Sequence, residues 1–208
     1  MKLITLSFSV FLFLLFCVSC EEEGLDLEYN TYTKEGYAIM SQYLDLPEEP
    51  LTYMDQFPRH VRSPLRGNFV HDSNVATLGR VLFYDQNLSA DGTISCASCH
   101  HQHLAFADDK AFSDGVSGRT TDRNSLALGA VFSFRAHYSG VRIPLFWDNR
   151  AFSLRAQMEE TFANRKEMNM SMEDVLNAVQ AQPYYEPLFQ AAYRESVLNS
   201  RQILHAIT

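Results

Sequence analysis

Cys96-Ala97-Ser98-Cys99-His100 sets two thiols three residues apart with a histidine directly after the second. Those residue types at those offsets form the attachment site of a c-type haem. The thiols add across the two haem vinyl groups. The histidine is then held beneath the ring, where an imidazole nitrogen ligates the iron. The competing reading is half of a zinc site. Zinc needs further Cys or His at ligand spacing; His101 and His103 are close, but no second Cys pair lies beside them.

The remaining cysteines support haem. The chain has four, and Cys17 and Cys20 fall in an N-terminal export segment. Cys96 and Cys99 are consumed by thioethers, so none is left for a disulfide, although an exported chain sits where disulfides are allowed. Residues 1–19 read as a signal peptide: Lys2 supplies the positive start, and Leu3 to Phe16 is almost wholly apolar but short for a membrane span. Ser19-Cys20 followed by three glutamates reads as a lipoprotein junction, with Cys20 lipidated. Acyl chains on one residue anchor it firmly, at about 0.8 kcal/mol per buried CH₂. The expected location is the periplasm or cell envelope, with the membrane met only through that anchor. The formal net charge is −8, and cutting before Cys20 removes Lys2 and leaves −9. Nucleic acid is therefore not an expected partner.

A haem held this way needs helices to build a pocket around it. Residues 20–66 read as an acidic, Pro- and Tyr-rich extension, with one helix over 33–44 carrying Tyr37, Met40 and Leu44 on one face. From 67 to 208 the pattern is one haem domain. Asp72-Ser73-Asn74 caps a helix with a stripe of Val75, Leu78, Val81 and Leu82. A turn covers 87–93, and 107–124 is a loop dense in Asp, Ser and Gly. Further helices are expected at 125–134, 151–162, 172–181 (opened by a Ser171/Asp174 capping box) and 184–195, with a last one starting at Asn199-Ser200. Strand alternation is nowhere sustained, so the fold class is all-α. That last helix has barely two turns and should not be stable alone, so the chain reads as a fragment of a longer protein.

Leu78-Gly79-Arg80-Val81-Leu82-Phe83-Tyr84-Asp85 and Leu88-Ser89-Ala90-Asp91-Gly92-Thr93-Ile94-Ser95-Cys96 resemble the bacterial di-haem cytochrome c peroxidases, including the methylamine-utilisation di-haem enzymes. Arg123-Asn124-Ser125, Phe146-Trp147-Asp148-Asn149-Arg150-Ala151 and Glu167-Met168 continue the likeness in order. The resemblance implies a cytochrome c-like domain bearing the peroxidatic haem, and a second domain with a second haem c in the intact protein. It implies hydrogen peroxide as oxidant, a small cytochrome c as electron donor, and compatibility with a homodimer.

The resemblance also assigns residues. Trp147, Gln157 and Glu167 fall at equal steps. Gln157 orients bound peroxide, Glu167 shuttles the proton between its oxygens, and Trp147 relays electrons between haems. Asn124 matches a calcium ligand, for which a side-chain carbonyl is suitably hard. Val116 stands near the place of a blocking histidine and cannot ligate iron, so the resemblance implies an open, high-spin iron. His101, His103 and His137 read as surface or propionate-contacting residues, and His60, His71 and His205 carry no motif. Three departures from the family pattern are Leu126 for Pro, Asn149 for Gly and Arg165 for Pro. Two other functions compete. One is an electron-transfer cytochrome closed by Met158, Met168, Met170 or Met172. The other is a di-haem oxidase of a protein or small molecule.

Overall fold

The computed structural model describes residues 32–51, 53, 72–130, 144–194 and 198–208. The expected export segment with Cys17 and Cys20, most of the expected extension, His60, His71 and His137 lie outside them. The described residues form six α-helices: α1 (Lys34–Met40), α2 (Ser73–Tyr84), α3 (Leu154–Ala163), α4 (Met172–Ala181), α5 (Tyr185–Tyr193) and α6 (Ser200–Ile207). Short 3-10 turns and three isolated β-bridges join them, so the fold is all-α there. None of these helices is long and apolar enough to cross a membrane.

Local chemistry sets most of the helix starts. Asp72 accepts from the backbone N–H groups of Asn74 and Val75 and opens α2. Ser171 and Asp174 form the expected capping box at α4, and Asn199 with Gln202 forms another at α6. Several expected bounds shift for visible reasons. The first helix stops at Met40, where a turn over 41–43 follows, rather than at 44. The helix expected from 151 begins at 154, because Ala151 is tied back to Leu145 and Ser153 is the cap. Residues 184–195 shorten to α5, which ends where Arg194 turns left-handed at φ 53°. The helix expected at 125–134 is replaced, over its described part, by irregular backbone and a 3-10 turn at Leu128–Ala130.

The core lies where α2, α5 and α6 meet, with α4 beside them. Leu78 and Leu82 of α2, Tyr185 and Leu188 of α5, Val175 and Val179 of α4, and Ile203 and Leu204 of α6 fill it. This packing explains why so short a helix as α6 is stable: its apolar face is covered by α2. The crossing is close. A Cβ on Gly79 would lie 2.0 Å from the carbonyl oxygen of Ala206. Gly79→Ala must therefore push the two helices apart, at a cost of about 1–3 kcal/mol. A lower urea midpoint with an unchanged slope is the expected result, and an unaltered midpoint would contradict this crossing.

Candidate functional site

The Cys96–Ser98 stretch is a 3-10 turn that begins in a reciprocal Ser95/Ser98 cap and packs beside α2. Its two cysteines are half-buried and unpaired. Burial pushes the Cys96 thiol up to about 12, with the neighbouring Cys99 adding to it. Burial likewise pushes Cys99 up to about 11, helped by the carboxylates of Asp108, Glu167 and Asp114. Both thiols retain the S–H that thioether formation needs.

His100 follows in a fixed orientation. Its Nδ1 lies 2.8 Å from the carbonyl oxygen of Phe106. A carbonyl only accepts, so Nδ1 carries the proton. Burial holds the imidazole below its ordinary pKa and hence neutral, against the opposing pull of the Phe106 and Leu126 carbonyls. Nε2 then carries a lone pair free for a metal, with Nδ1 bound as ligating histidines require. Two successive left-handed residues, Ala105 (φ 55°) and Phe106 (φ 61°), bend the chain to deliver that carbonyl. The bend is clasped by backbone bonds from His101 to Ala107 (2.9 Å) and from Phe106 to His101 (2.8 Å). The donor set of two protonated thiols and one neutral, oriented imidazole fits a covalent haem c. His101 instead faces Asp108 at 3.7 Å.

The loop after the motif is tied to the segment around Glu167. The Val116 N–H donates to the Glu167 carbonyl (3.2 Å), and Arg119 donates to the Arg165 carbonyl (2.9 Å). A Cβ on Gly115 would lie 1.8 Å from the Lys166 carbonyl oxygen, so only glycine permits this approach. Val116 itself is wholly buried in the core.

Glu167 is partly buried rather than a free loop carboxylate. The Asn164 side-chain amide donates to its Oε1 at 2.7 Å, and the Thr161 side chain also bonds it. Burial pushes its carboxyl up, while those bonds and the charge of Arg150 act the other way. Gln157 is half-buried on α3; its backbone N–H donates to the Ser153 carbonyl at 3.0 Å, and its side-chain amide bonds no described residue. It precedes Thr161 by four residues, so both lie on one face of α3. Spacing alone had not singled out Thr161 or Asn164; their only signal was proximity in sequence to Glu167.

Trp147 is 58% exposed, and its indole N–H donates to the Asn124 carbonyl at 2.9 Å. The turn that carries it has left-handed Phe146 (φ 64°) and Asn149 (φ 58°), so Asn replaces Gly there without obstacle. Arg123 bonds Asp148 at 2.6 Å and Arg150 bonds it at 2.8 Å, which holds the Asp148 carboxyl down at about 2. Arg150 stacks on Phe146 at 3.6 Å and pairs with Glu160 of α3. Asn124 spends its side-chain N–H donors on the carbonyls of Asp108 (3.1 Å) and Lys110 (2.6 Å). Met168 and Met170 are buried in the core, with Met158 and Met172 packed against it.

Known proteins are similar to this chain. The chain is 35% identical over 136 residues to methylamine utilization protein MauG of Methylorubrum extorquens, covering 62% of this chain and 35% of that one. It is 28% identical to the cytochrome c551 peroxidase of Nitrosomonas europaea, covering 69% and 41%. It thus spans less than half the length of these relatives. Among solved structures it resembles a MauG-like protein associated with microbial copper homeostasis, with a TM-score of 0.58, 29% identity, and coverage of 74% of this chain and 45% of that one. The diheme peroxidase BthA of Burkholderia thailandensis shares the fold at a TM-score of 0.52, 24% identity, and coverage of 64% and 37%. Residues 73–208, more than half of the chain, match the di-haem cytochrome c peroxidase family model, and the protein belongs to that family.

Proposed function

We propose that residues 67–208 hold one covalent haem c and reduce hydrogen peroxide with electrons from a small cytochrome or similar donor. A haem c supplies electron transfer and a coordination position for peroxide. Cys96 and Cys99 tether it, and His100 Nε2 is its protein ligand. The observation that carries the reading is Glu167: a desolvated, hydrogen-bonded carboxyl within electrostatic reach of Cys99 and tied through its backbone to the loop after the haem motif.

Peroxide cleavage needs a group that takes a proton from one oxygen and returns it to the other. A carboxyl pushed up from its ordinary range suits that exchange near neutral pH. Asn164 and Thr161 aim Glu167, and Gln157, with its amide uncommitted, orients the substrate from the same face of α3. Trp147, exposed and pinned through its N–H, relays electrons to this domain's haem from the second haem of the intact protein. Asn124 keeps its side-chain oxygen available for a calcium ion, since its N–H groups are already used. A second reading, oxidation of a protein or small molecule by the same site, draws on the MauG relatives. It shares the peroxide step and differs only in what supplies the electrons.

Three outcomes are expected. The oxidised, haem-loaded chain has a high-spin spectrum that changes on adding peroxide. A low-spin spectrum indifferent to peroxide would favour the electron carrier instead. Glu167→Gln keeps the haem but slows that change by about 10²-fold or more; an unaltered rate would remove Glu167 from the chemistry. The third concerns pH. Because the folded protein raises the Glu167 pKa, its contribution to stability is complete below the ordinary carboxylate range and is lost as pH rises through the raised value. Denaturant midpoints measured across that window should fall in the parent and fall less in Glu167→Gln.

A further inference from the structure

Tyr184 and Tyr185 have no part in the peroxide chemistry, yet both phenols converge on one carboxylate. The Tyr184 hydroxyl donates to Asp85 Oδ2 at 2.8 Å, and the Tyr185 hydroxyl donates to the same oxygen at 2.7 Å. The other oxygen, Oδ1, accepts from the backbone and side-chain N–H groups of Asn87 at 2.8 and 2.9 Å. Four donors are thus aimed at Asp85, and both of its oxygens act as acceptors. No cation among the described residues pairs with it. The joining residues are 99 and 100 positions away in sequence.

The rings form a chain. Tyr185 is fully buried and lies within electrostatic reach of Cys96. Its ring centroid is 4.7 Å from that of Tyr184, and Tyr184 is 5.7 Å from Tyr43, which is 56% exposed. An aromatic path thus runs from the side of the haem-attachment turn to the surface. Burial pushes both buried phenols up, with Asp85 adding to it, so neither loses its proton alone. A phenol that loses an electron, however, becomes a strong acid and must release that proton to a base within hydrogen-bond reach. Asp85 is that base for both rings.

We propose that Tyr185 and Tyr184, coupled through Asp85, are a redox relay that passes single oxidising equivalents from the haem side of the domain to Tyr43 at the surface. The inference rests on the haem peroxidase reading above, since the oxidant is the haem after peroxide has oxidised it. Tyr185 gives one electron to that oxidant. Its O–H bond breaks, and the proton moves to Asp85 Oδ2, leaving a neutral tyrosyl radical. Tyr184 then gives an electron to Tyr185, and Asp85 returns the first proton to Tyr185 as it takes the proton of Tyr184. Tyr43 next reduces Tyr184 and loses its own proton to water, while Asp85 gives its proton back to Tyr184. A one-electron donor at the surface, together with a proton from water, restores Tyr43. The net result is one electron moved from that donor to the haem, with every group restored.

The test uses the haem-loaded full chain, mixed with hydrogen peroxide in the absence of donor and freeze-quenched. The electron paramagnetic resonance signal and the haem absorption are recorded together. A tyrosyl signal is expected that narrows when the tyrosines are ring-deuterated and falls about ten-fold or more in Tyr185→Phe and Asp85→Asn. Asp85→Asn retains an accepting oxygen but cannot take the proton. If it matches the parent in helical content and haem spectrum and keeps the full signal, the relay is overturned. A haem that responds to peroxide with no tyrosyl signal overturns the relay and leaves the peroxidase reading standing. A haem that does not respond overturns the peroxidase reading instead. The dyad is then read by flash oxidation with ruthenium tris-bipyridine and persulfate in a Tyr43→Phe background, where equal tyrosyl yields with Asp85 and with Asn at that position overturn it.

Discussion

The hydrogen bond between His100 Nδ1 and the Phe106 carbonyl constrains everything around the Cys96–His100 turn. It places the proton on one ring nitrogen, leaves the other as a donor to metal, and prevents the ring from turning over. The chain supplies this carbonyl at a conformational cost. Ala105 and Phe106 both sit in the left-handed region, where each residue with a Cβ is disfavoured by about 1–2 kcal/mol. The surrounding backbone bonds outweigh that strain, as strained geometry at functional sites requires. Phe106 also accepts from the Leu128 N–H, which ties the same carbonyl to the stretch that follows Asn124.

A second constraint is that the site is assembled from loops and so must be clipped to the helices. The segment 164–168 is the main clip. It receives the Val116 loop through backbone bonds, receives the turn at Ala90 through the Met168 carbonyl, and hangs from the end of α3 through Asn164. Glu167 is positioned as a by-product of this packing, and its desolvation follows from it. The ion pairs around Arg123, Asp148, Arg150 and Glu160 work differently. They are exposed, and such pairs add little stability. Their effect is to set the Trp147 turn against α3.

The sequence made some of this legible and not the rest. The helix caps at Asp72, Ser171 and Asn199 were readable because a cap is a contact between residues two or three apart. The haem motif was readable for the same reason, since its thiols and imidazole lie within one turn. The helix expected at 125–134 is absent over 125–130, where the Phe106 carbonyl bonds the Leu128 N–H and engages the backbone, a contact no local pattern shows. The start at 151 was misread because a single bridge from Leu145 captured Ala151.

By itself, then, the chain's order of residues determined an all-α domain, the Cys-x-x-Cys-His turn, and the family to which both belong, because these rest on local spacing. The tertiary structure alone decided which carbonyl holds His100, that Glu167 is drawn out of water, that α2 and α6 touch at Gly79, and that Asp85 meets two phenols a hundred residues away. The Gly79 and Asp85 contacts join residues far apart in sequence and depend on how helices cross, and the His100 contact, though it spans only six residues, depends on a left-handed bend that residue spacing does not reveal.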